Sequence, residues 1–222
     1  MEQQKGSLNA GMVRRVTGML IAAAMAYALI NTLVSVLIND IIDTFALSGT
    51  AQGVMSSMLS LGMMLALVAT PAMQGRVNKL TMVLVSGLIQ TVALALSGAS
   101  PVFSVFIAGS VLLGLGCGWL DTYMNSCMVD VHPTDSPKYM GMFHGLFGVG
   151  SLLSPLLIRT LLTFTNWRGV YAVMAGVMLA TMACVWANNR RVRRAGGIAA
   201  SEEQRLTGRD MLNYLKNRRN LL

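Results

Sequence analysis

One carboxylate stands deep inside an apolar stretch of this 222-residue chain, and polar groups are aligned with it. Gly114, Gly118, Asp121 and Asn125 are spaced i, i+4, i+7 and i+11, which places them on one face of a helix. His144, Gly148, Ser151 and Pro155 repeat that spacing further along, and Tyr27, Asn31 and Ser35 form a shorter stripe, as do Gln52, Ser56 and Ser60. Carboxylate, imidazole, amide and hydroxyl groups set out this way can exchange a proton and hydrogen-bond a polar solute. Two readings of Asp121 stand: a carboxyl that takes and releases a proton, or a hydrated acid near a helix end. His144 reads either as a solute contact or proton relay, or as a histidine hydrogen-bonded within a bundle. The glycines read as packing positions, because small residues let helices approach closely. His132, in Val131-His132-Pro133-Thr134-Asp135-Ser136-Pro137, reads as a solvated turn residue.

The elements that carry these residues follow from composition. The chain is 54% hydrophobic and 12% charged, with a mean hydropathy of +0.59. Soluble domains carry about 25% charged residues, so a water-exposed globule is excluded, and so is a disordered chain. Asp, Glu, Lys and Arg are absent from 16–39, 44–75, 80–120, 139–158 and 169–189. A helix needs ~20 apolar residues to cross the hydrocarbon core, and the third interval is split by Ser97-Gly98-Ala99-Ser100-Pro101. Six spans result, at about 16–38, 51–73, 80–97, 102–127, 139–158 and 168–187. A transmembrane barrel would show alternating segments of ~10 residues, which these continuous runs are not. The expected fold is an all-α polytopic membrane protein. Its first span reads as an uncleaved helix, since the apolar run continues to Ile38. The 18 methionines read as adaptable packing. Cys117, Cys127 and Cys184 lie within spans with no CxxC, and nothing indicates a disulfide framework, a metal site or a cofactor. GxSxG, GxGD and HExxH are absent, so an enzyme is not the expectation.

Lys and Arg set the orientation. Of the seventeen, all but Arg159 and Arg168 fall on one side, which the positive-inside rule makes cytoplasmic; the expectation is a multi-pass protein of the cell's inner (plasma) membrane with both termini in the cytoplasm. The chain divides into a cytoplasmic N-terminus (1–15), a six-helix bundle (16–187) and a basic cytoplasmic connector or tail (188–222). The net charge of +8 reflects topology and attraction to anionic lipid in the surrounding bilayer, with no nucleic-acid partner implied.

Shifting the chain by 88 residues superimposes the first three spans on the last three. Gly53 and Gly62 then fall on Gly141 and Gly150, and Ser56 and Ser60 on His144 and Gly148. Three crossings per copy invert the second copy relative to the first, and inverted three-helix repeats are a building plan of secondary transporters. Unpaired polar groups in hydrocarbon cost several kcal/mol, so the stripes of spans 1, 2, 4 and 5 are expected to face a shared cavity. Asp121 is the expected proton-coupling residue. Tyr27, Asn31, Ser56, Ser60, Asn125, His144 and Ser151 are the expected substrate-cavity residues.

The residues also resemble a family. Six spans, the inverted repeat and the basic segment after them are similar to the N-terminal half of a major facilitator superfamily transporter. The loop Pro71-Ala72-Met73-Gln74-Gly75-Arg76-Val77-Asn78-Lys79 resembles the family's G-x-x-x-D-R-x-G-R-K signature at the basic positions Arg76 and Lys79. Gly114-Leu115-Gly116-Cys117-Gly118-Trp119-Leu120-Asp121-Thr122-Tyr123-Met124-Asn125 is similar to G-x-G-x-x-E-T-x-x-N in the fourth helix of the fucose–proton symporter branch. His144 to Ser151, with Ser154-Pro155, resembles that branch's fifth helix; where that branch has an acid in its first helix, this chain has Asn31-Thr32. The resemblance implies proton-coupled uptake of a small polar solute, a sugar among the candidates. It also implies a partner, either a second six-helix half or a second copy of the chain, since residues 207–222 resemble the connector before a seventh helix. Met211, Leu212, Tyr214 and Leu215 beside Lys216, Arg218 and Arg219 read as an interfacial amphipathic segment or a solvated basic tail. The alternative to transport is a truncated membrane scaffold or subunit.

Overall fold

A computed structural model describes residues 9–73 and 76–194. Among them the chain is helical, without a strand: α1 (Ala10–Asn31), α2 (Leu33–Thr44), α3 (Thr50–Met73), α4 (Lys79–Gly98), α5 (Phe103–Val131), α6 (Ser136–Leu162) and α7 (Trp167–Arg194). With α1 and α2 taken as one passage, six helical stretches are long and apolar enough to cross a membrane. The helices outlast the apolar runs that announce them. Lipid thickness limits the run, whereas a helix continues into the headgroup region wherever its backbone stays hydrogen-bonded. Three helix starts are capped by asparagine side chains: Asn9 accepts from Met12 N at 2.8 Å, Asn78 from Leu80 N and Thr81 N, and Asn166 from Gly169 N. The connector and amphipathic segment expected after Arg194, and Lys5, Gln74 and Gly75, lie outside the described residues.

One span expected to be continuous is divided. The first passage breaks at Thr32, between α1 and α2. The Thr32 hydroxyl hydrogen-bonds the Ser154 hydroxyl of α6, and Ser154 in turn donates to the Leu29 carbonyl at 3.1 Å. Pro155 follows immediately and has no N–H to complete its own helical ladder. The break in the first passage is thus fastened to the proline-containing turn of α6.

Packing mirrors the internal repeat. Helix α5 packs along α3 and α4, α1 packs along α6 and α7, and α4 packs against α7. Exchanging α1 for α5, α3 for α6 and α4 for α7 leaves this pattern unchanged. The glycines follow the same exchange. A Cβ on Gly62 would run into the α5 backbone at Val111 and Leu115, and one on Gly150 would press on Ala28 and Met25 of α1. The other pair matched by the repeat, Gly53 and Gly141, meets nothing within 4 Å. Gly114 and Gly118 complete the α3–α5 seam, since a Cβ on Gly114 would strike the Leu59 carbonyl. Trp119 Nε1 closes it by donating to the Ala66 carbonyl at 3.0 Å.

Charges sit at the helix ends. Lys79 and Asp130 form a 2.9 Å ion pair between the start of α4 and the end of α5. Each charge is unfavourable beside its own helix dipole, and pairing offsets both. At the other end, Arg168 donates to the Gly98 and Ser100 carbonyls at 3.1 and 2.6 Å, and its guanidinium lies 4.4 Å from the Trp167 ring. Arg159 donates to the Val36 carbonyl at 2.9 Å and faces Asp40 at 3.7 Å. Both arginines that depart from the charge asymmetry therefore brace helix ends.

His132 corrects its expected place. It is buried, 8% exposed, and stacks on the Tyr139 ring with centroids 3.4 Å apart. Its Nε2 lies 2.7 Å from Thr17 Oγ1, whose own proton goes to the Val13 carbonyl, so the imidazole N–H is the donor. The turn is tied down because it joins α1, α5 and α6 at one end of the bundle. Burial pushes the imidazole below its ordinary pKa, with the Asp135 carboxylate pulling the other way.

Two outcomes follow from this packing. Gly114→Leu must displace backbone, at a cost of about 1–3 kcal/mol or more, and is expected to lower the melting temperature in detergent by several degrees, whereas Gly53→Ala should leave it unchanged or raise it. Because folding holds the His132 imidazole below its ordinary pKa, its contribution is present above about pH 6.5, the unfolded value, and is lost as pH falls below it. A melting series from pH 7.5 to 5 should therefore decline more steeply for the wild type than for His132→Gln, which keeps an N–H for Thr17.

Candidate functional site

The site forms where α1, α5 and α6 converge. On α5, Asp121 Oδ1 accepts from Asn125 Nδ2 at 3.3 Å, the i,i+4 contact that the helical spacing allows. The Asp121 carboxylate lies within electrostatic reach of the His144 imidazole on α6 and of the Tyr27 hydroxyl on α1. Tyr27 is 4% exposed, and its ring packs on Phe147 of α6 with centroids 5.3 Å apart. Asn31 lies one turn beyond Tyr27 on the same face of α1, half-buried. Ser151 lies one turn beyond Phe147 on α6. Asn125 Oδ1 and Ser151 Oγ are buried, and among the described residues neither has a hydrogen-bond partner. These two acceptors, the carboxylate and the imidazole form a polar lining on otherwise apolar helices.

The structure thus draws Tyr27, Asp121, Asn125 and His144 together from three helices, with Asn31 and Ser151 on the adjoining turns. It does not bring Ser56 and Ser60 to that group. Both are exposed on α3, and Ser60 spends its hydroxyl on the Ser56 carbonyl at 2.9 Å. The reason is the glycine seam: α3 turns its small residues toward α5, which leaves the serine stripe on the free side. Arg76 is exposed, while Lys79 is committed to Asp130.

Several contributors lie outside the residues singled out from the sequence. Phe147 follows His144 by three positions and Cys117 precedes Asp121 by four, so helical spacing contained both. An aromatic or a buried thiol in an apolar run nevertheless reads as core. Asp130 lies just beyond the apolar run, and its link to Lys79 becomes visible only once α4 and α5 are antiparallel. Among the described residues, no three His, Cys, Asp or Glu side chains are placed to hold a metal ion. The chemistry available here is proton exchange at a carboxyl and hydrogen bonding to a solute.

Comparison with known proteins covers nearly the same span. The model of the Major Facilitator Superfamily matches residues 19–222. A protein described as MFS-type transporter gkaD, from Penicillium citrinum, is 28% identical over 96 residues, which is 43% of this chain and 16% of its own. MFS-type transporter dmxR4, from Cryptosporiopsis sp. (strain 8999), is 32% identical over 96 residues, 41% of this chain and 17% of its own. The matched stretch spans about a sixth of the length of each relative.

Proposed function

This chain belongs to the Major Facilitator Superfamily, and on that premise we propose that it forms one six-helix half of a secondary transporter for a small polar solute. The reading rests on one observation: a carboxylate hydrogen-bonded to an amide lies within electrostatic reach of an imidazole and a phenol where three membrane-length helices converge. A carboxyl held among apolar helices needs a role, and exchanging a proton with a solute-linked cycle supplies one. We assign proton coupling to Asp121 and solute contact to Tyr27, Asn31, Asn125, His144 and Ser151, with Ser56 and Ser60 on the flanking α3 face. A neutral sugar is the favoured solute class. Amide, hydroxyl and imidazole groups match its hydroxyls, and the likeness of the α5 stretch to the fucose–proton symporter branch points the same way.

The orientation proposed from the basic residues places both termini in the cytoplasm and the protein in the plasma membrane. Residues 1–15 and 188–222 would then lie on the cytoplasmic side of the 16–187 bundle. Arg76 and Lys79 lie in the cytoplasmic loop. The bundle needs a second six-helix unit, either another half or a second copy of this chain, to complete the cavity wall. What supports this is the free face of α6, where Gly141, Gly145 and Gly148 meet nothing within 4 Å, although small residues in membranes serve close helix approach.

The decisive measurement is uptake of radiolabelled L-fucose and D-glucose into proteoliposomes under an inward proton gradient. Asp121→Asn is expected to reduce gradient-driven uptake to background while leaving solute exchange and the melting temperature intact; undiminished uptake by the folded variant would refute the assignment. A Cβ at Gly145 or Gly148 meets nothing within the unit itself, so leucines there should preserve its folding but abolish uptake by blocking the partner. Full uptake by that double variant would place the partner elsewhere.

A further inference from the structure

Helix α7 carries an ordered stripe on the side that no other described helix covers. Val185, Asn189 and Val192 are buried against the bundle, whereas Leu179, Trp186, Arg190, Arg193 and Arg194 are exposed. Trp186, Arg190, Arg193 and Arg194 fall at i, i+4, i+7 and i+8, one face of the helix, with Leu179 two turns before Trp186 on that face. Leu179 is 52% exposed and Trp186 47% exposed, so both meet the surroundings rather than the core. The Arg190 guanidinium lies over the Trp186 ring, 4.0 Å from its centroid. The ion pairs among the described residues are Lys79–Asp130 and Arg159–Asp40, and neither uses these arginines.

We propose that this face of α7 is a binding site for an anionic phospholipid of the leaflet in which α7 ends. The order along the helix is that of a lipid molecule: apolar side chains for the acyl chains, an indole at the level where rings favour the interface, then guanidinium groups for the phosphate. From Leu179 to Arg190 the helix rises ~16 Å, about the depth of one leaflet's hydrocarbon. The stack on Trp186 holds the Arg190 plane in place, so its N–H fork is preorganised for two phosphate oxygens, which a mobile lysine would not be. The last carbonyls of α7 carry the negative end of its dipole and keep the arginines gathered at this end. Gly176, one turn before Leu179, meets nothing within 4 Å and adds no side chain that would hold an acyl chain off the helix. The site depends on α7 crossing a bilayer and not on any transported solute, so it stands or falls apart from the function proposed above.

The test is a titration of the full chain in neutral detergent, read by melting temperature and by the lipid that copurifies. Phosphatidylglycerol is expected to stabilise the wild type and to be retained, while phosphatidylcholine with the same acyl chains and inorganic phosphate are not. Arg190→Gln and Arg193→Gln should each raise the half-maximal phosphatidylglycerol concentration roughly fivefold, the equivalent of one interfacial cation. Arg190→Lys should raise it as well, because charge is kept but the stacked fork is lost. Equal stabilisation by phosphatidylcholine or by free phosphate would overturn the proposal. So would wild-type retention by Arg190→Gln/Arg193→Gln, or an equal loss in Arg14→Gln/Arg15→Gln, which removes two exposed charges from α1.

Discussion

Every feature of this protein answers to one constraint: hydrocarbon offers no hydrogen-bond partner to a peptide group, so the backbone must satisfy itself. Helices do that within a single crossing, and the described residues accordingly form helices joined by short turns, with no strand. The same constraint reaches side chains. Serine and threonine hydroxyls turn back onto carbonyls of their own helix, as Thr70, Ser86, Ser110 and Thr181 do. Where a hydroxyl bridges two helices instead, at Thr32 and Ser154, it marks the level at which the first passage breaks and α6 carries its interior proline. Polar groups left over from this economy are few, and those around Asp121 gather where three helices meet.

Helix association in a membrane cannot draw on exclusion of water, because lipid is as apolar as the helix surface. Close contact has to come from shape, and the α3–α5 seam shows how. Gly62, Gly114 and Gly118 remove side chains where the two backbones pass, and Trp119 reaches across to a carbonyl of α3. The seam also determines which way α3 is turned about its axis. That rotation, more than any property of the serines, places Ser56 and Ser60 on the free face. The corresponding contact of Gly150 on α1 orients α6, and this second rotation brings His144 and Phe147 toward Tyr27 and Asp121. Packing glycines thus position the polar group without belonging to it.

The charged residues at the helix ends perform a different task on each side. On one, Lys79 and Asp130 neutralise each other between antiparallel helices, and His132 knits α1 to the turn before α6. On the other, Arg168 caps the end of α4 while resting on Trp167 and Phe45, and Arg159 holds α2. Family membership agrees with this plan, in which a six-helix unit presents open faces on α3 and α6.

Sequence by itself determined the all-helical class and the six crossings. Hydrophobic run length answers directly to bilayer thickness, with no need to know what packs against what. It also exposed the internal repeat and the Asp121–Asn125 face, because helical spacing is a local property. Four matters were decided only in three dimensions: the rotation of α3, the partnership of Lys79 with Asp130, the burial of His132 and the division of the first passage at Thr32. Each depends on a residue more than fifty positions away, supplied by a neighbouring helix whose angle and depth are fixed by close contacts between backbones. Local spacing is blind to those contacts, since a glycine that admits a second helix and a glycine that faces open space look the same in the chain.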